Sequence, residues 1–118
     1  MTFRPSEDND VSRTPVEFLP HEIAKRSISR DQIMLPYREA LSALATLDKD
    51  GHTILSCDPW VITREGQLTA AGADEPLSGL PRAHALSAAR ESMTRAQQAW
   101  ERSKHQGDEL VFRIRVAA

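Results

Sequence analysis

The sequence is poor in the features that usually announce a chemistry. It holds one cysteine in 118 residues, so no disulfide forms within the chain and a reducing compartment is the natural setting. Aromatic residues make up only 5%, so a core has to be built from Leu, Ile, Val, Ala and Met. No run approaches the roughly 20 apolar residues that a membrane helix needs. Met1 to Pro20 contains no apolar stretch of signal-peptide length and carries Glu7, Asp8 and Asp10. The expectation is a cytoplasmic protein with no membrane partner. Fifteen bases stand against seventeen acids, for a net charge of −2, too weak a field to point to nucleic acid as a partner.

The same poverty extends to catalytic and metal-binding patterns. The four histidines, His21, His52, His84 and His105, show no i, i+4 pairing and no zinc-type spacing to cysteine. Gly72 and Gly79 do not sit in a strand-turn-helix phosphate loop. Ser56, Ser78 and Ser87 have no nucleophile-elbow context. The most enzyme-like group is Cys57 with His52 and Asp58. A nucleophilic cysteine needs a base within hydrogen-bonding reach. The odd spacing sends His52 and Cys57 to opposite faces of a regular strand, which leaves Cys57 as a small buried hydrophobe. The expectation is a protein that is not an enzyme, holds no metal or cofactor, and works by binding.

What is present is ordinary globular composition, 40% hydrophobic and 27% charged. The length suits one domain, large enough to bury roughly two thirds of its unfolded surface. Residues 1–15 are polar and are expected to form a flexible tail, leaving 16–118 as a single domain. Pro20 starts a short helix with Ile23, Ala24 and Ile28 at helical spacing. Pro36 opens a second, where Tyr37, Ala40, Leu41, Leu44 and Leu47 form one apolar stripe that Gly51 ends. Thr53 to Thr63 is rich in β-formers but contains Pro59, which marks an edge, a bulge or a break. Arg64-Glu65-Gly66 reads as a turn, with Gln67 to Thr69 as a short return arm and residues 70–79 as a loop.

Pro81 begins the longest helix, reaching about Lys104, with Leu86, Ala89, Met93, Ala96, Ala99 and Trp100 on its buried face. Leu110, Phe112, Ile114 and Val116 alternate with Arg113 and Arg115 in a half-buried closing strand. The order α-α-β-β-α-β predicts a two-layer α+β domain with helices on one face of a small antiparallel sheet. Trp60, beside Asp58 and Pro59, is the least ordinary residue, either a core plug or a binding anchor. Asp74 and Glu75 make an acidic pair in a loop.

Several pieces between residues 33 and 116 resemble a known family. Leu35-Pro36 leads into a helix with Glu39-Ala40-Leu41, and Ile54-Leu55 leads into Ser56-Cys57-Asp58-Pro59-Trp60, at the place of a strand motif of Trp-Glu-Gly-Trp type. Arg64-Glu65-Gly66 matches a turn of Asp-Gly type. Leu77-Ser78-Gly79-Leu80-Pro81 precedes a helix ending in Gln97-Gln98-Ala99-Trp100-Glu101, and Glu109-Leu110-Val111-Phe112 closes the pattern. In these pieces the chain is similar to immunity proteins of bacterial polymorphic toxin systems, small α+β proteins encoded beside a toxin that they bind and neutralise. Cys57 stands where the motif has its first tryptophan and Pro59 where it has glycine, while Asp58 and Trp60 keep the pattern.

The resemblance implies a cognate toxin as partner. The expected contact surface is Asp58 and Trp60, the turn with Arg64 and Glu65, and the acidic pair Asp74 and Glu75, whose carboxylates would enter a basic cleft. Two other classes stand beside it. One is an accessory or regulatory protein that binds a non-toxin partner or self-associates through a sheet edge, with Arg113 and Arg115 prominent. The other is an enzyme using Cys57. Oligomeric state is left open.

Overall fold

The structure, a computed structural model, describes residues 14–72, 75–77, 79–103 and 105–117, with Glu75 described by its backbone alone. After a 3-10 turn at Pro15–Phe18 come α1 (His21–Ala24), β1 (Ile33–Leu35), α2 (Tyr37–Lys49), β2 (Ile54–Ile62), β3 (Leu68–Ala70), β4 (Glu75–Pro76), α3 (Arg82–Glu101) and β5 (Glu109–Val116). The fold is α+β, and its sheet is antiparallel throughout. The strands run in the order β1-β5-β2-β3, with β4 also on β2.

Prolines start the helices without side-chain caps. The carbonyls of Pro20, Pro36 and Pro81 accept the first helical bonds from Ala24, Ala40 and Ala85 at 2.8, 2.8 and 2.9 Å. Gly51, at φ +88°, ends α2. His52 N–H donates to the Leu47 carbonyl at 2.9 Å and Gly51 N–H to that of Asp48 at 3.1 Å, the paired bonds of a Schellman ending. Ala40, Ala43, Leu44 and Leu47 of α2 are buried, as are Ala85, Ala89 and Met93 of α3.

These helices pack on β5 and β2, and the strand registers divide the residues of the sheet between its two faces. Cys57, Pro59 and Val61 stand opposite Ile114, Phe112 and Leu110, and Ile33 and Leu35 stand opposite Ile114 and Phe112. All but Pro59 belong to or pack on the core shared with α2 and α3. The alternate residues Ser56, Asp58, Trp60 and Ile62 therefore share the other face with Val111, Arg113, Arg115 and Met34.

The expected order α-α-β-β-α-β needs correction in three places. The first helix is a single turn, and Ile28 is exposed rather than on its buried side. Ile33–Leu35 forms a strand of its own, buried at all three positions. Residues 70–79 are not all loop, since Ala70 ends β3 and Glu75–Pro76 pairs with β2. In α3, Ala99 is exposed, not buried. Most of the expected 1–15 tail lies outside the described residues, and Pro15 opens the 3-10 turn.

Pro59 does not break β2, which runs unbroken from Ile54 to Ile62. Its carbonyl accepts from Ala71 N–H at 3.0 Å. In an antiparallel ladder a residue's N–H and C=O point the same way, so its missing donor faces the β3–β4 side. There the pairing shifts from Trp60↔Ala70 to Cys57↔Glu75, two extra residues on the partner arm. The bulge on that arm absorbs the proline.

Replacing the fully buried Leu44 with Ala should cost about 2–5 kcal/mol of unfolding free energy. The same change at the half-buried Leu41, on the edge of the stripe, should cost clearly less, and urea unfolding of the two variants measures the difference.

Candidate functional site

The sheet face that bears Ser56, Asp58, Trp60 and Arg113 carries the most organised polar group among the described residues. Asp58, only 4% exposed, lies directly across the ladder from Arg113. Arg113 donates to it twice, Nε to Oδ1 at 3.0 Å and a terminal guanidinium nitrogen to Oδ2 at 3.0 Å. The planar guanidinium matches a carboxylate in this two-pronged fashion, which a lysine does not. The indole Nε1 of Trp60 donates to the same Oδ2 at 2.9 Å, and the Arg113 guanidinium carbon lies 5.3 Å from the Trp60 ring centroid. Asp58, Trp60 and Arg113 thus form a closed set: one carboxylate, two donors, and a cation over the ring face. Because Trp60 is two residues from Asp58, both side chains leave β2 on the same side. Val111, opposite Trp60 and two residues from Arg113, is fully buried.

The charge of Asp58 is therefore spent inside the protein, which is not the surface carboxylate that the sequence suggests. The described structure settles the choice posed for Trp60 in neither extreme form. It is half-buried, outside the core cluster of buried residues, and held by its own hydrogen bond.

Next to it, the β2–β3 hairpin presents Arg64 and Glu65 in an exposed turn. Gly66 N–H donates to the Thr63 carbonyl at 2.8 Å and Thr63 N–H to the Gln67 carbonyl at 2.7 Å. With Gly66 at φ +88° this is a three-residue hairpin loop closed by a glycine in the left-handed region. Asp108 accepts from Arg64 N–H at 2.9 Å, and the Arg64 stem lies over Gly107, where an added Cβ would meet it at 3.0 Å. The turn is fastened to the segment that enters β5. Asp74 lies outside the described residues. Glu75 is placed by its backbone, opposite Cys57 in β4.

The enzyme-like group does not assemble. Cys57 is buried on the helix side with its Sγ 4.0 Å from the Ala89 carbonyl. His52 precedes β2 and stacks on Phe18 with centroids 4.2 Å apart. Among the described residues no group of three or more His, Cys, Asp or Glu is placed to hold a metal ion. A hollow of about 170 Å³ between Asp48, His52, Ile54, Leu77, Leu80 and Arg82 is smaller than the usual ligand pocket. Arg82 is engaged there with Asp48, through its Nε to Oδ1 at 3.1 Å and through the Asp48 carbonyl.

Sequence reasoning finds Asp58 and Trp60 but misses Arg113 as their partner. Strand parity puts Arg113 away from the core, yet the register that brings it to Asp58, across 55 positions of chain, is not written in any local pattern. Ser56, two residues before Asp58 on the same face, is also missed. It is buried, and its hydroxyl has no hydrogen-bond partner among the described residues.

No protein-family model matches this chain, and comparison with curated proteins and with solved structures likewise yields no match. Among the described residues no helix is long and apolar enough to cross a membrane.

Removing one partner of a buried ion pair strands the other and costs about 3–5 kcal/mol when both are fully enclosed. Arg113 keeps 22% of its side chain exposed, so water solvates part of what is left. Asp58→Ala should therefore cost about 2–3 kcal/mol, below that range. In a double-mutant cycle with Arg113→Met the two losses should fall short of additivity by about 1–3 kcal/mol, read from urea unfolding of the four proteins.

Proposed function

We propose that this protein is an immunity-like binding protein that neutralises a cognate bacterial toxin by direct contact, without catalysis and without a cofactor. The observation that carries the reading is the held tryptophan. Trp60 sits on the sheet face away from α2 and α3, fixed by the Asp58 hydrogen bond and covered on one side by Arg113. A large aromatic already in one orientation loses little freedom on binding, and such residues dominate protein–protein affinity. In this reading the domain is two-layered. Its helices stabilise one face of the sheet, and on the other, where Met34, Ser56, Asp58 and Val111 are already buried, the half-buried Trp60 is the side chain offered to the partner.

The contact surface centres on Trp60 and runs onto the exposed turn at Arg64 and Glu65; Glu75, paired with Cys57, stands at a position of the other face and is left out of it. Asp58 belongs to it as the residue that aims Trp60, not as a charge offered to the toxin. The exposed carboxylate of Glu65 supplies a negative rim charge that speeds encounter with a basic toxin surface. The resemblance of residues 33–116 to immunity proteins supports the same partner class, and a cytoplasmic site of action fits it.

Trp60→Ala should weaken toxin binding by at least 2 kcal/mol, about thirtyfold in Kd, with the far-UV circular dichroism spectrum retained. Calorimetry against the toxin encoded beside this chain measures it, and an unchanged affinity removes Trp60 from the interface. Co-expression tests the wider claim: wild-type protein should restore growth of cells making that toxin, and failure to do so rules out immunity.

A further inference from the structure

We propose that the exposed edge of β3 is a self-association surface, through which two copies of this chain pair β3 against β3 in antiparallel fashion about a two-fold axis at Thr69.

The three edge segments of the sheet differ in how they are finished. Along β1 the outer groups are taken: Met34 N–H donates to Ser27 Oγ at 3.1 Å, and Ile28 N–H donates to the Met34 carbonyl at 3.0 Å. Along β4, Leu77 N–H donates inward to the Leu55 carbonyl at 2.8 Å. By alternation Pro76 faces outward, where it has no donor to offer an incoming strand. On β3, Ala71 N–H and the Gln67 carbonyl turn inward, to Pro59 and Thr63. Alternation then sends the N–H and C=O of Leu68 and Ala70 outward. All three residues of β3 are exposed, and none is charged or proline, so two of the usual guards of an edge are missing from it.

The occupant follows from symmetry. The two outward-facing residues flank Thr69 equally, so the edge is its own complement under a two-fold rotation. Centred on Thr69, Leu68 of each copy meets Ala70 of the other as a hydrogen-bonded pair. Four backbone bonds form, and the two Thr69 residues face each other in the closer, non-bonded position. Leu68 and Ala70 lie on the Trp60 side of the sheet, opposite Ile62 and Trp60. The pairing thus sets the two Trp60-bearing faces side by side and covers part of Leu68, which is 42% exposed in the single chain. Because the β1 edge is occupied and β4 carries Pro76, pairing closes at two copies and does not run on into a fibre. It requires no toxin.

Sedimentation equilibrium from about 10 μM to about 1 mM suits a small interface of this kind. The wild-type mass should climb towards twice the 13.2 kDa chain mass. Leu68→Lys and Ala70→Pro should stay monomeric while keeping the wild-type circular dichroism spectrum. If Ala70→Pro fails to fold, Leu68→Lys decides. A wild-type protein that is monomeric throughout the range, or a dimer that survives Leu68→Lys, overturns the proposal. Hydrogen exchange adds a local readout. The Leu68 and Ala70 amides should slow as concentration rises, while that of Met34 should not, and concentration-independent exchange at Leu68 and Ala70 also overturns it.

Discussion

An isolated charge taken out of water costs a protein several kcal/mol, and attraction to a partner repays this only when geometry is good and the remaining acceptors are used. Asp58 meets both conditions, with two bonds from Arg113 and one from Trp60. The consequence reaches past the three residues. β2 and β5 are the two longest strands and lie side by side at the centre of the sheet. Sliding one past the other by a single residue would turn Asp58 towards the helix-packed face occupied by Cys57. Sliding by two, in one direction, would set its carboxylate against Val111. Hydrophobic alternation alone rejects the first error; the ion pair is what rejects the second.

The same group determines how the sheet face around Trp60 behaves. An aromatic side chain that leans on solvent has several rotamers to lose when something binds. Trp60 is tied through its indole nitrogen to a carboxylate that is itself clamped, so its orientation is fixed before any partner arrives. Next to it, the Arg64–Gly66 turn is fastened through Asp108 to the segment entering β5. The proposed surface is thus drawn from two places, β2 and its hairpin turn, and both are anchored to β5. Binding energy that would otherwise go into ordering these elements remains available for the contact.

The sequence exposes those parts of the fold whose cause is local. The stripes Ala40-Leu44-Leu47 and Ala89-Met93 recur at helical spacing, and the alternation of Leu110, Phe112 and Ile114 needs no knowledge of the rest of the chain. The Arg64-Glu65-Gly66 turn is legible because only glycine adopts that backbone cheaply. β1 escapes because Ile33, Met34 and Leu35 are buried on both faces, which erases alternation, and three residues are too few to distinguish from a loop. β4 escapes for its length. Asp58 and Trp60 stand out by residue type, but their link to Arg113 depends on a strand pairing made across the whole of α3. A local reading therefore takes Asp58 for a surface charge when it is the centre of a buried cluster.

Proline is where local reading and tertiary structure part most clearly. Three of the seven prolines precede helices and mean what they seem to mean. Pro59 and Pro76 mean opposite things in the same sheet. Pro59 sits in a central strand, tolerated because its missing donor points at the stretch where the β3–β4 arm bulges away. Pro76 sits on the outer arm with its missing donor towards solvent, where it blunts the edge. One lost hydrogen bond is absorbed by an internal bulge, and the other prevents an external pairing. The bulge that accommodates Pro59 also divides the arm, separating a guarded β4 from an unguarded β3. An accommodation to one residue in the centre of the sheet thereby decides which part of its rim can meet another strand.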